Sequence, residues 1–204
     1  MRYRIIKWMA ARTATAGKRR LGRDDWIAAA FDAISDGGLS AVAVEPLAAR
    51  LGVTKGSFYA HFSSRDELID ATLQSWEQYL TGPGLAEFTN IPDPATRLRA
   101  LLHAAVTYSQ SGGPSVHMSL LGELRDPRVR DAVTRVSTAR LDLLTTTYRQ
   151  LGLSPRRASD RARMTYATYL GLLQMTREAP DRTLSARDIS RFIDELTTAL
   201  TTSA

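Results

Sequence analysis

Residues 47–62, which read LAARLGVTKGSFYAHF, constrain the fold of this chain more than any other stretch. Two short helical patterns meet at Gly52, whose missing side chain leaves room for a tight corner between two crossing helices. Thr54 occupies the N-cap position of the second helix, where its hydroxyl can bond to a free amide or reach a phosphate. The exposed amides and dipole of that first turn, with the charge of Lys55, favour an anion. The pattern predicts a helix-turn-helix that binds DNA.

The spacing of the side chains divides this motif into a buried face and an outward face. Five apolar residues recur so that two crossing helices bury them together, namely Leu47, Leu51, Val53, Phe58 and Phe62. Tyr59 and His61 fall on the other side, where their polar tips can face a duplex. Gly56 has no Cβ, so another backbone can approach closely at this point.

The net charge of +6 is unevenly distributed along the chain. Residues 1–66 contain 11 Lys and Arg against 6 Asp and Glu, whereas residues 67–204 contain 16 against 15. The positive charge therefore belongs to the N-terminal third, which indicates a polyanionic partner for that part of the chain. A solvated basic tail between Arg2 and Arg23 is the alternative interpretation.

Helical periodicity continues through the rest of the chain, without strand alternation or internal repeats. Three prolines follow a capping side chain, which is typical of helix starts, in Asp93-Pro94, Asp126-Pro127 and Ser154-Pro155. Ser185 and Asp188 resemble a capping box. The sequence Gly82-Pro83-Gly84 is interpreted as a break. We predict an all-α chain of about nine helices, which start near residues 24, 44, 54, 65, 94, 115, 127, 155 and 186.

The composition argues against several other classes of protein. The chain has no cysteine, which excludes disulfides and thiolate metal sites and fits a reducing cytoplasm. No run approaches the roughly 18 apolar residues of a membrane span, and Lys7 interrupts the apolar N-terminal stretch, so no secretory signal is predicted. His103 and His117 lie on different predicted helices without a carboxylate at metal-ligand spacing. We expect a cytoplasmic protein without a metal or a cofactor.

The combination of motifs in residues 38–68 resembles the DNA-binding domain of TetR-family (tetracycline-repressor-like) transcriptional regulators. The matching features are the LAxxLGV helix, the TKGSFYxHF helix and the residues RDEL, which open the fourth helix. The nine-helix plan fits the family, although the C-terminal region has no comparable fingerprint. Arginine outnumbers lysine 24 to 3, which is typical of a GC-rich bacterial genome.

The resemblance implies that six residues of the third helix face DNA, namely Thr54, Lys55, Gly56, Ser57, Tyr59 and His61. Of these, Lys55, Gly56 and Ser57 would lie nearest the base edges, while Tyr59 and His61 would mainly meet phosphates. Arg65, at the start of the fourth helix, would hold the DNA backbone. Phe58 and Phe62 are interpreted as core residues.

One position departs from the family pattern. Relatives often have Ser or Thr at the N-cap of the second helix, where this chain has Ala43. The missing cap should cost about 1 kcal/mol and removes one expected phosphate contact. Glu45 suits the first turn of a helix but would repel a nearby phosphate. Arg19, Arg20 and Arg23 are the candidates to compensate from the adjacent basic arm.

By the same resemblance, the C-terminal body would bind a small effector and form a homodimer. The last two long helices would build a four-helix interface with their symmetry mates through Tyr166, Leu170, Gly171, Leu173, Phe192, Leu196 and Leu200. An intramolecular core role is the competing interpretation. Candidate effector contacts are Trp76, Tyr79, Phe88, His103, Tyr108, His117, Met118, Tyr148 and Gln174, with ordinary core or surface positions as the alternative. Few polar anchors are available, which favours a mostly apolar effector.

The predicted organisation has three parts. A basic N-terminal arm spans residues 1–22, the DNA-binding domain spans 23–70 with its helix-turn-helix at about 44–62, and the effector-binding and dimerisation domain spans 71–204. The arm is interpreted as flexible. A short basic helix that lies on a membrane through Ile5, Trp8 and Met9 stays open, as does a translation start at Met9.

We therefore predict a ligand-responsive, homodimeric transcriptional regulator, most often a repressor in this family, that binds a palindromic operator. Effector binding would move the fourth helix, separate the two reading heads and release the DNA. One alternative is a sequence-indifferent DNA-binding protein. Another is an enzyme that uses the helical pocket, although no Ser-His-Asp set, phosphate-binding glycine loop or HExxH pattern supports it.

Overall fold

The computed structural model describes residues 21–110 and 115–201, which form helices joined by short turns and contain no strand. The α-helices are, in chain order, α1 (Arg23–Gly37), α2 (Val44–Leu51), α3 (Lys55–Tyr59), α4 (Arg65–Thr81), α5 (Pro83–Thr89), α6 (Pro94–Ser109), α7 (Val116–Leu121), α8 (Pro127–Gln150), α9 (Pro155–Glu178) and α10 (Ala186–Thr201). Two 3-10 helices span Leu39–Ala41 and Pro180–Arg182. None of the described helices combines the length and hydrophobicity that a membrane-spanning segment requires. The all-α prediction is confirmed.

Local capping chemistry explains several helix starts. Asp93 accepts a hydrogen bond of 2.7 Å from the amide three residues later at the start of α6, and Ser154 does the same over 3.5 Å at the start of α9. The hydroxyl of Ser185 accepts from the amide of Asp188 at 3.2 Å before α10. A proline follows both Asp93 and Ser154, in a position where its missing N–H costs no helical hydrogen bond.

The described chain divides into two compact units, of which the first contains residues 21–80 and 115–135. Three aromatic side chains pack together in the core of this unit. The Trp26 ring meets the Phe58 ring edge-on with 5.3 Å between centroids, and Phe58 stacks on Phe62 at 5.6 Å. All three side chains are almost fully buried. Because α1 and α3 share this aromatic core, the position of α3 depends on its packing against α1.

The second unit contains residues 81–110 and 136–201. Helix α6 packs against both α9 and α10. Leu98, Leu102 and Val106 of α6 are buried in one cluster with Tyr148 of α8 and Ile193 of α10. Burial of such apolar side chains is the main favourable contribution to folding, so this cluster holds the long C-terminal helices to α6.

The predicted helix starts agree with the structure, since each of them falls within a residue of a helix start. Helix α5 is additional, because Pro83 serves as the first residue of a short helix rather than as a break. Helix α3 ends at Tyr59. Phe62 therefore lies beyond the end of α3, although the sequence pattern predicted it to be part of this helix. The first compact unit includes residues 115–135, which the predicted division had placed in the C-terminal domain. The predicted division by function stays a prediction.

Candidate nucleic-acid interface

The corner between α2 and α3 is built around Gly52. Its backbone is left-handed (φ 70°, ψ 30°), and its amide bonds to the carbonyls of Ala48 and Ala49, which ends α2. A side chain at this position would meet no atom within 4 Å. The backbone angle, and not a lack of space, therefore favours glycine here. The tight corner predicted from the sequence is present.

Helix α3 presents a polar face to solvent and an aromatic face to the core. All the residues of this segment that were predicted to face DNA reach the surface; Thr54, Lys55, Gly56 and Tyr59 are exposed, and Ser57 and His61 are half-buried. Tyr59 keeps 56% of its surface accessible, whereas its neighbour Phe58 is fully buried. The two rings stand edge-on with 5.2 Å between centroids. The predicted separation into a core face and an outward face is thus present, and the segment is available to a partner.

A methyl group at Gly56 would fit without a clash with any described residue. A Cβ at this position would lie 3.7 Å from the hydroxyl oxygen of Thr54, which is an ordinary van der Waals contact. The residue lies within α3, so its backbone is helical. Neither packing within the described residues nor backbone geometry therefore calls for glycine here, and the close approach of a partner stays a prediction.

The capping hydrogen bond predicted for Thr54 does not form. Thr54 is the N-cap residue of α3 with an extended backbone (φ −82°, ψ 157°), but its hydroxyl accepts no hydrogen bond from the helix. Helix α3 has five residues, little more than one turn, so its macrodipole contributes little to anion binding. The attraction of the N-terminal end of α3 for an anion therefore depends on exposed amides and side chains.

Lys55 is paired with Glu45 across the corner. The Lys55 Nζ atom lies 2.7 Å from Glu45 Oε1, and the two side chains are 53% and 73% exposed. The hydrogen bond and the opposite charge lower the pKa of the Glu45 carboxyl and raise the pKa of the Lys55 ammonium, so both groups are charged at neutral pH. The sequence analysis treated the two residues separately and missed this pair.

The Arg65 side chain bonds to backbone carbonyls of the segment that precedes α2. Its Nε atom donates to the carbonyl of Val42, and its Nη2 atom donates to the carbonyl of Leu39. The Nη1 atom lies 4.0 Å from the Asp66 carboxylate. Two of its donor groups therefore bond within the fold. Its contact with the DNA backbone stays a prediction.

Arg23 bonds to residues at and just after the C-terminal end of the helix-turn-helix. It donates to the carbonyl of His61 at 2.7 Å and to Glu67 at 2.9 Å, and its guanidinium lies 4.1 Å from the centroid of the Phe62 ring. Glu67 also accepts from the amide and the hydroxyl of Ser63, and these bonds, together with Arg23, lower the pKa of Glu67 to about 2. Arg23, a candidate to compensate for the missing cap at Ala43, is thus used within the protein.

The positive charge of the N-terminal third belongs to its first 20 residues. Residues 21–66 contain four basic residues against six acidic ones. All four basic residues bond within the protein, since Arg50 also pairs with Asp32 at 2.6 Å. The other seven of the 11 basic residues, which include Arg19 and Arg20, lie within residues 1–20, where the sequence has no acidic residue. That segment lies outside the described residues.

The candidate effector contacts of the first unit are mostly buried. Trp76, Tyr79 and His117 are buried, and Met118 is half-buried. The Trp76 and His117 rings come together, with 5.9 Å between centroids. Their role as effector contacts stays a prediction.

The candidate effector contacts of the second unit range from fully buried to exposed. Tyr148 is fully buried and shares a hydrogen bond of 2.7 Å with the hydroxyl of Thr165, so it is a core residue. His103 is exposed, and Gln174 is an exposed side chain that bonds to Glu178. The role of these residues as effector contacts stays a prediction. Phe88 and Tyr108 are half-buried.

Two of the predicted dimer residues are core residues of their own chain. Leu173 is 6% exposed and Leu200 is 4% exposed. The sequence analysis placed them in the interface because they lie on apolar stripes, but α6 packs against α9 and α10 and accounts for part of those stripes. Three others, Tyr166, Phe192 and Leu196, pack partly against the core of the second unit.

Helix α9 has an exposed apolar face with two methionines that were not among the predicted interface residues. Met164 and Met175 are 52% and 59% exposed. Gly171 lies between them at helical spacing on the same side of α9 and has open space around it, and Leu170 is half-buried. The spacing of the two methionines around Gly171 is the signal that could have identified this face.

Comparisons with known proteins agree with this geometry. Residues 27–72 match the family model described as "Bacterial regulatory proteins, tetR family". The nucleoid occlusion factor SlmA of Actinobacillus pleuropneumoniae is 30% identical over 88 residues, which are 43% of this chain and 43% of that protein. The match thus spans less than half the length of this curated relative.

Solved structures share the fold over most of the chain. A TetR transcriptional regulator from Legionella pneumophila has a TM-score of 0.73 at 15% identity, over 88% of this chain and 98% of that one. The transcriptional regulator FadR from Bacillus subtilis, solved in complex with stearoyl-CoA, has a TM-score of 0.63 at 14% identity, over 88% and 98% of the two chains. Residues 27–72 thus match the TetR family model, and the chain as a whole has the all-helical fold of the TetR-family transcriptional regulators with which it was compared.

Proposed function

We propose that this protein is a DNA-binding transcriptional regulator that binds a palindromic operator as a homodimer and acts as a repressor released by a small-molecule effector. The observation that supports it best is the exposed polar face of α3 above a fully buried Phe58. Hydroxyl, ammonium and phenol groups of this face can bond to base edges and phosphates. The match of residues 27–72 to the TetR family model supports the same function.

In this proposal DNA affinity comes from two parts of the chain. Helix α3 reads the major groove, and the arm, with Arg19 and Arg20 among its basic residues, contacts phosphates. The arm supplies most of the charge attraction, because the basic residues of 21–66 are already paired within the protein. Replacing Arg19 and Arg20 by alanine should weaken binding to every duplex alike and reduce the slope of log K against log salt by about 2.

The partner proposed for the exposed face of α9 is a second copy of this chain. Met164, Gly171 and Met175 offer an apolar surface with room for close approach, as two-fold interfaces require. A two-fold dimer would place two copies of α3 in successive major grooves, with half-sites about one helical turn apart. The operator is therefore palindromic.

The proposed effector is mostly apolar. FadR from Bacillus subtilis, which shares the fold, was solved with stearoyl-CoA, a ligand with a long apolar chain. The candidate contacts in this protein are also largely aromatic, with Trp76 and Phe88 among them. Effector binding should lower operator affinity by about 5- to 150-fold, the usual range for a coupling of about 1–3 kcal/mol.

The first experiment is to sequence the genomic DNA fragments that the purified protein retains, and to compare them with random duplex in gel shifts at one salt concentration. We expect a preference for a palindromic site. Tyr59→Ala should weaken that binding while helicity and dimer mass stay unchanged. Leu124→Ala, which also trims an exposed apolar side chain of the first unit but lies outside α2 and α3, is the matched control.

The alternatives give distinct results in the same assays. Equal affinity for the retained fragments and for random duplex would indicate sequence-indifferent DNA binding. Chemical turnover of a candidate effector would indicate an enzyme. Unaltered binding by Tyr59→Ala would argue against α3 as the reading helix.

A further inference from the structure

The Glu45–Lys55 pair lies at the part of the surface that the proposed function presents to DNA. Glu45 belongs to the first turn of α2, and Lys55 is the first residue of α3. Glu45 Oε1 and Lys55 Nζ are 2.7 Å apart, and both side chains are mostly exposed. Ala43, the N-cap of α2, has no side-chain hydroxyl to offer a phosphate. The charged groups at this corner are therefore an acceptor beside a donor.

A neutral ion pair is a poor ligand for phosphate. The attraction of the Lys55 ammonium for an anion is offset by the Glu45 carboxylate next to it. The pair also contributes little to the fold, because solvent screens exposed ion pairs. DNA backbone binding therefore gives no reason for a carboxylate in this place, and its position in the first turn of α2 gives only a small contribution to stability.

The pair is complementary to the major-groove edge of a G·C base pair, which offers the ammonium two adjacent acceptors on one base, whereas the A·T edge separates its two acceptors by the amino donor of adenine. In the major groove a G·C pair presents the N7 and O6 acceptors of guanine beside the N4 amino donor of cytosine. A carboxylate accepts from the cytosine amino group, and a lysine donates to guanine. An adjacent carboxylate and ammonium are therefore complementary to this edge.

We propose that Glu45 is a specificity-determining residue, whose carboxylate accepts from the amino group of a cytosine while Lys55 donates to the guanine of the same base pair in each half-site. This inference rests on the proposed function, since it needs the α2–α3 corner to enter the major groove. On other sequences Glu45 finds no cytosine donor and lies desolvated near phosphates, which costs affinity. Glu45 thus selects against wrong sites as well as for the right one.

The test is selection of bound sequences from a random duplex library by the full-length protein and by three variants. Glu45→Gln keeps the shape of the side chain and removes its charge. Lys55→Ala removes the other half of the pair. Asp32→Asn is the control, because it removes the same charge from another ion pair of the first unit, between the half-buried Asp32 and Arg50 in the last turn of α2. Circular dichroism and thermal unfolding show that each variant is folded.

We expect the unchanged protein to enrich sites with one invariant G·C pair per half-site. Glu45→Gln should reduce the preference for cytosine at that position on the order of tenfold. Lys55→Ala should reduce the preference for guanine at the same base pair. All other positions should stay as they are, and Asp32→Asn should keep the complete pattern.

The outcomes separate this inference from the proposed function. If the unchanged protein enriches a palindrome and Glu45→Gln enriches the same palindrome with the same strength at every position, Glu45 does not read DNA and only the inference fails. Effects of Glu45→Gln and Lys55→Ala at different base pairs would also overturn it. If the unchanged protein enriches no sequence, the proposed function fails and the inference fails with it.

Discussion

Two glycines of the α2–α3 motif should respond in opposite ways to replacement by alanine. At Gly52 an alanine must adopt a φ of 70°, which costs about 1–2 kcal/mol, although no neighbouring atom lies within 4 Å of its Cβ. At Gly56 the Cβ would meet only the Thr54 hydroxyl at 3.7 Å, and alanine favours a helix over glycine by up to about 1 kcal/mol. Gly52→Ala should therefore destabilise the first unit, and Gly56→Ala should leave its stability unchanged or raise it.

DNA binding should show the opposite order, with Gly56→Ala affected more than Gly52→Ala. A methyl group at Gly56 occupies the exposed tip of α3, and a cost of about 1.4 kcal/mol there would lower operator affinity tenfold. Gly52→Ala alters no outward side chain and should bind normally while it is folded. Urea unfolding followed by tryptophan fluorescence reports on the first unit, because Trp26 and Trp76 are buried in it, and fluorescence anisotropy measures DNA affinity. A Gly56→Ala variant that is less stable but binds DNA normally would refute this reasoning.

Three further predictions follow from burial, exposure and charge. Phe58→Ala should lower the free energy of unfolding by about 3–5 kcal/mol in urea, because the ring is fully buried between two aromatic rings; a loss below 1 kcal/mol would contradict that packing. Met175→Glu should convert the dimer to a monomer in light scattering without loss of helicity, and an unaltered mass would remove this face from the interface. The contacts of Glu67 with Ser63 and its other partners lower the pKa of Glu67 from 4.5 to about 2, so the folded state favours the carboxylate. This contribution to stability is complete above pH 4.5 and is lost as the pH falls toward 2, and Glu67→Gln should flatten the pH dependence of urea unfolding in that range.

The features that the sequence predicted correctly depend on neighbours along the chain. Asp93 and Ser154 bond to amides three residues away, so their capping role can be recognised locally. The opposite environments of Phe58 and Tyr59 follow from their adjacent places on one helical turn. Gly52 marks a corner because its own backbone angle is left-handed. Such local rules were enough to identify the helix-turn-helix and the solvent-facing residues of α3.

The features that local sequence patterns did not predict concern side chains whose partners lie far away in the sequence. Arg65 bonds to carbonyls 23 and 26 residues before it, so its structural role cannot be read from its place at the start of α4. Leu200 looks like an interface residue on an amphipathic helix, but it is buried in a cluster that includes residues of α6. His103 was predicted from its residue type to contact an effector; the fold leaves it exposed, and its role stays a prediction.

By itself the amino-acid sequence determined where the helices begin, that a glycine corner joins two of them, and which residues at that corner face outward. These properties arise from backbone angles, capping bonds and helical periodicity, which act over a few residues. Only the tertiary structure decided that Glu45 meets Lys55, that Arg23 and Arg65 are used inside the fold, and that α9 exposes Met164 and Met175. Those outcomes depend on how helices pack, since packing alone determines which distant side chains become neighbours and which faces stay uncovered.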